Sequence, residues 1–316
     1  NVSPEFDGFW TYAGYIRFRY HYFTKLVGLN NQLQSSISAV IPCFNHWESI
    51  GSAVRSIQSQ SIPVIETLII DDGSEVPCPQ PELIDDPNVR IIRLDKNHGR
   101  GYCRALAFKE TTGRLVLTLD ATNSLENRFI EKTLPHFSDN RVAAVYGALK
   151  SKEKKKAVDR WRARHLLKEA SLENAIAEPC SMLITYGTIF AREVIEDVGG
   201  FDPKLRFKED QDLGERLSSK GYQIMGDPRL EIYCSVSNTI FQVLERYSRW
   251  YMDSDEKPSL KGYWHNLKAS FRPMMETDLR AWDWSSAFIS MLVPHFQLYH
   301  SIKASLSKCT SQPTDP

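Results

Sequence analysis

The chain has 316 residues, of which 42% are hydrophobic, and its 39 Lys and Arg are balanced by 39 Asp and Glu. This length and content suffice for one large core or two modest ones. A formal net charge of zero argues against a general nucleic-acid binder, which usually carries a basic excess. The six cysteines are scattered without a CxxC pair, so we expect reduced thiols in a cytoplasmic protein and no zinc site.

Residues 1–36 are predicted to form an aromatic-rich N-terminal extension, in which rings from Phe9 to Phe23 alternate with cations such as Arg17 and Lys25. Such a mixture suits a membrane interface. The alternative, which we favour, is a helix packed against the rest of the protein. No apolar stretch approaches the roughly 20 residues that a membrane span needs, and the start does not look like a signal peptide.

Two short apolar runs, residues 38–45 and 68–74, each end abruptly in polar, turn-forming residues. The segment between them, residues 47–60, carries apolar side chains at helical spacing, so we expect a βαβ unit with its ligand at the carboxyl ends of the strands. The adjacent carboxylates Asp71 and Asp72 repel a phosphate but can accept hydrogen bonds from a base, a ribose or metal-bound water. This pattern predicts a nucleotide held by its base and sugar.

Further elements follow along the chain. Strands are expected near residues 37–42, 64–70, 89–94, 115–119, 143–148 and 179–190. An amphipathic helix is predicted over residues 161–175 and a short helix over residues 192–198, ended by two glycines. From residue 253 onward the chain is predicted to be helical and rich in aromatic residues.

The two strand ends, IPCFN and IIDDGS, resemble the start of an inverting family 2 glycosyltransferase of the GT-A fold. Three more segments resemble later motifs of that family, in the expected order. They are NHGRGYCRA from Asn97 (the NxGxxxAR helix start), LTLDAT from Leu117 (the strand ending in DxD) and GGFD from Gly199 followed by KEDQDL from Lys208. The resemblance runs from about Ser38 to Trp250 and implies a Rossmann-like mixed sheet flanked by helices, with helical N- and C-terminal extensions.

The resemblance also implies a domain division and an activity. Residues 37–252 are expected to be the GT-A domain, with a nucleotide-binding half over 37–150 and an acceptor half over 151–252, followed by a helical extension over 253–316. The implied activity is transfer of a hexose from a UDP-sugar, with inversion, to the hydroxyl of a glycan or lipid-linked glycan. We expect a cytoplasmic enzyme that contacts the inner face of the membrane peripherally and binds no nucleic acid.

The family's nucleotide site is carried over residue by residue. Asp72 is expected to accept from the uracil N3–H, and Arg104 to reach the base or the diphosphate. An ion pair of Arg104 with Asp71 or Asp72 is the alternative for that arginine. The complete set of predicted nucleotide-binding residues is Pro42, Phe44, Asn45, Asp71, Asp72, Arg104 and Asp120.

The metal site departs from the family's pattern. Asp120 stands at the first position of DxD, but the third position is Thr122 instead of the Asp that binds Mg²⁺ or Mn²⁺. Hard divalent cations prefer charged oxygen ligands, and the His that the family often adds after a late strand is absent. We therefore expect either that Asp120 and the diphosphate hold the ion or that basic side chains replace it.

The acidic segment after GGFD is expected to carry the catalytic base. Asp210 is the candidate, and Glu209 is expected to support it, because a neighbouring negative charge favours proton uptake by a carboxylate. Capping of a helix N-terminus is the alternative explanation. The acceptor is expected to approach past Tyr186 and Gly187.

A later segment, residues 241–250, faintly resembles the QxxRW element of processive synthases, although its spacing differs. Arg246 and Arg249 are weak candidates for contact with the diphosphate. A helix that exposes its arginines and buries Phe241, Leu244 and Tyr247 is the alternative. A degenerate GT-A protein that binds a nucleotide or a partner without catalysis is the alternative function.

Overall fold

The computed structural model describes residues 36–79, 86–172, 175–235, 238–251 and 259–310. The predicted aromatic extension over residues 1–36 therefore lies outside the described residues, apart from Ser36. The strands are β1 (Ile37–Cys43), β2 (Glu66–Asp71), β3 (Val89–Arg93), β4 (Leu115–Leu119), β5 (Asn123–Leu125), β6 (Val142–Ser151), β7 (Glu178–Cys180), β8 (Gly187–Ala191) and β9 (Gln223–Cys234). The α-helices are α1 (Trp47–Gln58), α2 (Arg100–Glu110), α3 (Phe129–Thr133), α4 (Ala157–Trp161), α5 (Arg192–Asp197), α6 (Glu209–Ser219), α7 (Ile240–Tyr251), α8 (Leu260–Ala269), α9 (Glu276–Arg280) and α10 (Trp284–Thr310).

The strands form one mixed sheet in the order β3-β2-β1-β4-β8-β6-β9-β5, with β7 paired to β9. β1 runs parallel to β2 and to β4, and β2 runs parallel to β3. β8 is antiparallel to both β4 and β6. Cys43 lies opposite Asp71 in the β1–β2 register, so the loops that follow these two strands begin side by side.

The central strands are buried on both faces, which explains their uninterrupted apolar runs. In β1, residues Ile37, Ala39, Val40 and Ile41 are completely buried. The helix α1 turns Ile50, Val54 and Ile57 towards the core at helical spacing. Sequence and fold agree here because a buried strand and an amphipathic helix each leave a contiguous local pattern.

Three rings form the aromatic centre of the core between α2, β8 and the segment before α6. Phe108, Phe190 and Phe201 lie with ring centroids 5.6–5.8 Å apart in edge-to-face or tilted arrangements, which are the arrangements that aromatic pairs prefer. Phe201 belongs to the GGFD segment. The packing of Phe201 in the core therefore fixes the position of the segment that connects Phe201 to α6.

The expected strands over residues 37–42, 64–70, 89–94, 115–119 and 143–148 are all present, with shifts of a few residues at their ends. Two expectations differ from the structure. Where one helix is expected over residues 161–175, the structure has the last residue of α4, a π-helical segment Arg162–Leu166 and a 3₁₀ segment Glu169–Leu172. Lys168, with φ of 50°, separates the last two. The strand expected over residues 179–190 is divided into β7 and β8.

The chain divides into two compact units. The first comprises residues 1–148 and 175–232, and the second comprises residues 149–174 and 233–316. Residues 149–174 and helix α7 group with the C-terminal helices, and the predicted domain boundary at residue 252 stays a prediction. A contact pattern that joins distant segments leaves no local signal at either boundary.

The second unit has its own core and its own buried ionic cluster. Trp161 donates from its indole N–H to the Ser290 hydroxyl at 2.8 Å. The Asp278 carboxylate, fully buried, accepts from Arg164 at 2.6 Å and contacts the His165 ring nitrogen at 2.9 Å. Burial alone would raise the pKa of Asp278, but these hydrogen bonds outweigh it and hold the pKa below its ordinary value. The cluster joins the segment after α4 to helices α9 and α10.

Among the described residues, no helix is both long enough and apolar enough to cross a lipid bilayer.

Candidate active site

The loops that follow β1 and β2 are tied to each other by hydrogen bonds. The backbone N–H of Asn45 donates to the Ser74 hydroxyl at 2.9 Å, and the Asn45 side-chain oxygen accepts from the Glu75 N–H at 2.9 Å. Asn45 has φ of 56°, a conformation that Asn tolerates better than most residues. Next to it, Phe44 leaves 41% of its surface exposed, whereas Pro42 lies within β1 and is partly buried.

Asp71 closes the turn that follows β2. It is 1% exposed, and its two oxygens accept from the Ser74 N–H at 2.9 Å and from Arg93 at 2.7 Å. Gly73, with φ of 72°, completes the turn. Both oxygens of Asp71 thus have partners within the protein, and its predicted contact with a nucleotide stays a prediction.

Asp72 joins the end of β2 to the beginning of α2. Its carboxylate oxygens accept from the backbone N–H groups of His98, at 2.7 Å, and of Gly99, at 2.9 Å. It is 4% exposed. Burial, and then the negative charge of Asp72, raise the pKa of the neighbouring Cys103 thiol far above its ordinary value, which favours the neutral thiol over the thiolate.

Arg104 is the central cation of the site. It is completely buried, and its guanidinium donates to the Glu209 carboxylate through Nη1 and to Asp120 Oδ1 through Nη2, at 3.3 Å in the second case. The structure thus pairs Arg104 neither with Asp71 nor with Asp72, because α2 directs this side chain towards the end of β4. Within the described residues, Arg104 Nε and Glu209 Oε2 are buried without a hydrogen-bond partner.

Three acids occupy the first turn of α6, and the structure gives them different surroundings. Glu209 is completely buried against Arg104, and Asp212 is paired with Arg216 at 2.6 Å. Asp210 is half-buried, its Oδ1 accepts from the adjacent Gln211 N–H at 2.9 Å, and it has no ion pair among the described residues. Asp210 and Asp212 are thus both partly exposed, and of these two acids Asp210 is the one without an ion-paired arginine among the described residues.

Two glycines allow the segment before α6 to lie directly on the start of α2. A Cβ atom at Gly101 would stand 2.2 Å from the Leu205 carbonyl oxygen, and one at Gly99 would stand 2.8 Å from the Arg206 Cα. Gly99 also has φ of 98°. Any side chain at these positions would push the two segments apart, and with them Arg104 and Glu209.

The loop after β4 brings Asp120 close to Tyr186. The Tyr186 carbonyl accepts from the Asp120 N–H at 3.3 Å and from the Asn123 side-chain amide at 3.0 Å, and the Tyr186 hydroxyl donates to the Gly147 carbonyl at 3.1 Å. Gly187 begins β8, where a Cβ atom would stand 2.5 Å from the Ile232 side chain. These contacts give both residues a structural role, and their predicted contact with the acceptor stays a prediction.

The side chains around Asp120 fit a divalent cation poorly. The part of the chain that the structure describes contains no group of three or more His, Cys, Asp or Glu side chains arranged to hold a metal. One Asp120 oxygen already accepts from Arg104, and the Asn123 amide donates elsewhere. A single carboxylate and the Thr122 hydroxyl do not provide the charged oxygen ligands that Mg²⁺ or Mn²⁺ prefers.

The two arginines of α7 belong to the second unit. Arg246 is half-buried, and the side chain of Arg249 lies outside the described residues. The alternative for this helix placed Phe241 inward. Leu244 is buried as that alternative expected, but Phe241 is 56% exposed. The predicted contact of the two arginines with a diphosphate stays a prediction.

Sequence reasoning overlooked two arginines beside the site. Arg93 pairs with Asp71, and Arg100 extends from the first turn of α2 with its Nε 3.6 Å from Glu209 Oε1 and 56% of its side chain exposed. Arg100 stands inside the glycine-rich segment, so the motif itself contained the signal. An exposed cation at this place can meet an anionic group of a ligand.

Comparison with known proteins identifies the family of the chain. Residues 38–199, about half of the chain, match the model of a family described as Glycosyl transferase family 2. The poly-beta-1,6-N-acetyl-D-glucosamine synthase of Staphylococcus epidermidis is 23% identical over 266 residues, which cover 79% of this chain and 63% of that protein. The hyaluronan synthase of Streptococcus pyogenes is 29% identical over 128 residues, which cover 37% of this chain and 30% of that protein. The chain thus spans less than two thirds of the length of these relatives.

Solved structures show the same fold. The mannosyltransferase PcManGT from Pyrobaculum calidifontis, in complex with GDP-Man and Mn²⁺, superposes with a TM-score of 0.52 at 16% identity, covering 88% of this chain and 76% of its own. TarS of S. aureus superposes with a TM-score of 0.50 at 17% identity, covering 78% of this chain and 45% of its own. These likenesses confirm the predicted GT-A fold.

The buried pair of Arg104 and Glu209 predicts a large effect on stability. Glu209→Gln should lower the free energy of unfolding by about 3 kcal/mol, because it leaves a buried guanidinium without its main compensating charge. Asp212→Asn, which removes the partly exposed pair with Arg216 on the same helix, should change it by less than about 1 kcal/mol. Urea denaturation of both variants gives the comparison, and equal losses would contradict the assignment of Arg104 as a buried ion-paired cation.

Proposed function

The chain belongs to glycosyl transferase family 2, and from this membership we propose that it moves a sugar from a nucleotide-sugar donor to an acceptor hydroxyl. The observation that carries the proposal is the first turn of α6. There Asp210 is accessible and has no ion pair among the described residues, while its neighbours Glu209 and Asp212 are neutralised by arginines.

The reaction makes two demands on a site. The acceptor hydroxyl must lose its proton as its oxygen attacks the anomeric carbon, and the diphosphate must leave with the electron pair of the bond that breaks. A carboxylate base meets the first demand, and positive charge beside the leaving group meets the second. Single displacement places these two groups on opposite sides of the sugar, and the configuration at the anomeric carbon is inverted.

Asp210 is the base in this proposal. A general base must come within hydrogen-bond reach of the proton that it removes, and half-burial leaves Asp210 open to an acceptor. Its hydrogen bond from the Gln211 N–H fixes one oxygen, which leaves the other to accept the acceptor's proton. Support for this role comes from the position of Asp210 in the acidic segment that resembles the family's motif.

Glu209 has a different role in this proposal from the catalytic one first expected. Complete burial keeps it from the acceptor, and Arg104 compensates the negative charge that was expected to favour proton uptake by Asp210. We therefore propose that Glu209 positions Arg104, and that Arg104 in turn holds Asp120. Arg100 is the cation proposed to lie beside the departing diphosphate, because much of its side chain is exposed at the start of α2.

The donor is proposed to be a UDP-sugar. Each carboxylate oxygen can accept two hydrogen bonds, so Asp72, which accepts one backbone N–H on each oxygen, can still accept the N3–H of uracil. Phe44 offers an exposed ring beside the same strand ends. The hydrogen bonds to His98 and Gly99 fix the direction of the Asp72 carboxylate before a nucleotide binds.

The acceptor is proposed to be the hydroxyl of a glycan or of a lipid-linked glycan, bound on the side of Asp210. Two of the curated relatives are synthases of carbohydrate polymers by their names, which supports this class of acceptor. We further propose that the protein works in the cytoplasm and contacts the inner face of the membrane peripherally.

Base recognition by Asp72 can be tested without relying on the stability of the variant. Wild-type protein should bind UDP about tenfold or more tightly than CDP, because cytosine has no N3–H to donate and a hydrogen bond to a charged group contributes about 1.5–3 kcal/mol. Asp72→Asn should narrow that ratio, since an amide can donate to the cytosine N3. Calorimetry with UDP, CDP and GDP measures both ratios, and wild-type binding without preference for UDP over CDP would refute the role of Asp72.

Dependence on a divalent cation should be weak. Because the described residues contain no group of three or more side chains arranged to hold a metal, chelation of Mn²⁺ and Mg²⁺ should lower UDP affinity by less than about tenfold, that is by less than about 1.4 kcal/mol. Thr122→Asp should tighten the binding of Mn²⁺, since it adds a charged oxygen ligand. Titration calorimetry measures the affinity of the wild type and of Thr122→Asp for Mn²⁺. Wild-type protein that binds UDP only in the presence of the ion would show the proposal to be wrong.

Asp210 should be required for transfer and not for donor binding. Asp210→Asn should reduce turnover by about 10²–10⁴-fold, which is the usual contribution of a general base, while the affinity for UDP stays unchanged. The matched control is Asp212→Asn, on the same turn, which should retain turnover. Release of UDP in the presence of glycan acceptors measures the rate. Near-normal turnover of Asp210→Asn would remove the catalytic assignment and favour a protein that binds nucleotide without catalysis.

A further inference from the structure

The tryptophan at the end of α9 stands in a conformation that its side chain does not favour. Trp282 has φ of 55°. Its backbone N–H donates to the Leu279 carbonyl at 3.0 Å, and the next N–H, of Asp283, donates to the Asp278 carbonyl at 3.0 Å. This is the Schellman ending of a helix, in which the left-handed position is usually occupied by glycine.

The fold gives no reason for a tryptophan at this position. The Trp282 side chain is 83% exposed, so it adds almost nothing to a core. A bulky residue in the left-handed region is an outlier, and such strain is found where function requires it. An exposed tryptophan in a strained conformation therefore indicates a contact with something outside the protein at this surface.

Trp282 lies two residues before α10, which carries exposed apolar side chains. Exposed apolar side chains recur along this helix at intervals that place them on one side. We call these residues, together with Trp282, the aromatic face. They are Trp284, Phe288, Met291, Tyr299 and Ile302, with exposed fractions of 37–68%.

The aromatic face continues into an open apolar groove between α7 and α10. The groove has a volume of about 360 Å³, and its lining includes Phe241, Leu244, Leu292, Phe296 and Tyr299. The Tyr263 hydroxyl on α8 lies 3.1 Å from the His295 ring nitrogen, so α8 borders the same side of α10. Trp264, on α8, is 65% exposed. Exposed apolar side chains that cluster in this way are typical of an interaction site.

The charges of the second unit indicate the chemistry of the partner. This unit contains 18 Lys and Arg and 12 Asp and Glu, a net charge of +6, and five of the seven tryptophans of the chain. Neither α8 nor α10 contains an acidic residue. A cationic surface that presents Trp, Tyr and Phe is typical of proteins that lie on an anionic lipid interface.

A basic run, residues 151–156, lies beside the beginning of the aromatic face. Arg160 donates through Nη1 to the Lys155 carbonyl at 2.7 Å and through Nη2 to the Ser285 hydroxyl at 3.1 Å. Ser285 directly follows Trp284. The exposed lysines of this run and the rings of the aromatic face are thus neighbours within the second unit.

We propose that the aromatic face, with the basic run beside it, binds the surface of an anionic phospholipid bilayer. The rings enter the headgroup region and the lysines meet the lipid phosphates. The apolar character of the side chains between the cations favours lipid over a nucleic acid. This proposal specifies the membrane contact of the proposed function. The test of membrane binding needs neither donor nor acceptor, so the membrane proposal and the proposed transfer reaction can fail separately.

The principal experiment uses Trp282→Gly and vesicles of equal parts phosphatidylcholine and phosphatidylglycerol. Glycine suits the left-handed position, so the melting temperature should not fall, whereas vesicle binding should weaken by about tenfold because a large apolar side chain no longer leaves water. Phe207→Ser is the matched control, since Phe207 is 67% exposed on the first unit, and it should bind as the wild type does. Cosedimentation measures binding and calorimetry measures melting.

A second variant tests the electrostatic part of the proposal. Lys155→Gln with Lys156→Gln should weaken binding to the anionic vesicles by about fivefold for each lysine, and added salt should weaken wild-type binding. Absence of wild-type binding to anionic vesicles, or unchanged binding by Trp282→Gly, overturns the proposal. So does a dimer in light scattering that Trp282→Gly converts to a monomer, because the aromatic face would then be an interface between copies.

Discussion

Arg104 is completely buried, and a buried guanidinium is tolerated only when carboxylates compensate its charge, because the loss of hydration costs several kcal/mol. The compensation comes from Glu209 at the start of α6 and from Asp120 at the end of β4. Three segments that are far apart in the sequence therefore have to meet at one point. The glycines at positions 99 and 101 serve the same requirement, since they let the segment before α6 approach the start of α2.

Because buried charges must be compensated, the acids around the site have different roles. Carboxylates that hold the site together are buried and have partners, as Asp71 does with Arg93 and Glu209 does with Arg104. Asp210 has no such pairing among the described residues, while Glu209 beside it occupies the buried arginine. An ion pair that is already formed holds its groups in place, and pre-organisation of this kind needs no rearrangement at the moment of reaction.

The sequence predicts best what is local in the chain. The limits of β4 were predicted correctly, since an apolar run bounded by polar residues identifies a buried strand by itself. The partner of Arg104 was not predicted, because Glu209 is 105 residues away and an ion pair leaves no periodic pattern. The grouping of residues 149–174 with helices that follow residue 233 is likewise not marked by any local pattern. At Trp282 the aromatic residue gives no hint of a left-handed backbone, which only glycine or asparagine would have suggested.

The net charge of the whole chain conceals a difference in charge between its two compact units. The zero net charge of the whole chain is the sum of a first unit with 21 Lys and Arg against 27 Asp and Glu and a second unit of opposite sign. Charges on a protein surface act over about 10 Å at moderate ionic strength, so a bilayer in contact with one unit responds to the charges of that unit and not to the average of the chain. Partner classes are therefore better inferred from the charge of each compact unit than from the charge of the whole chain.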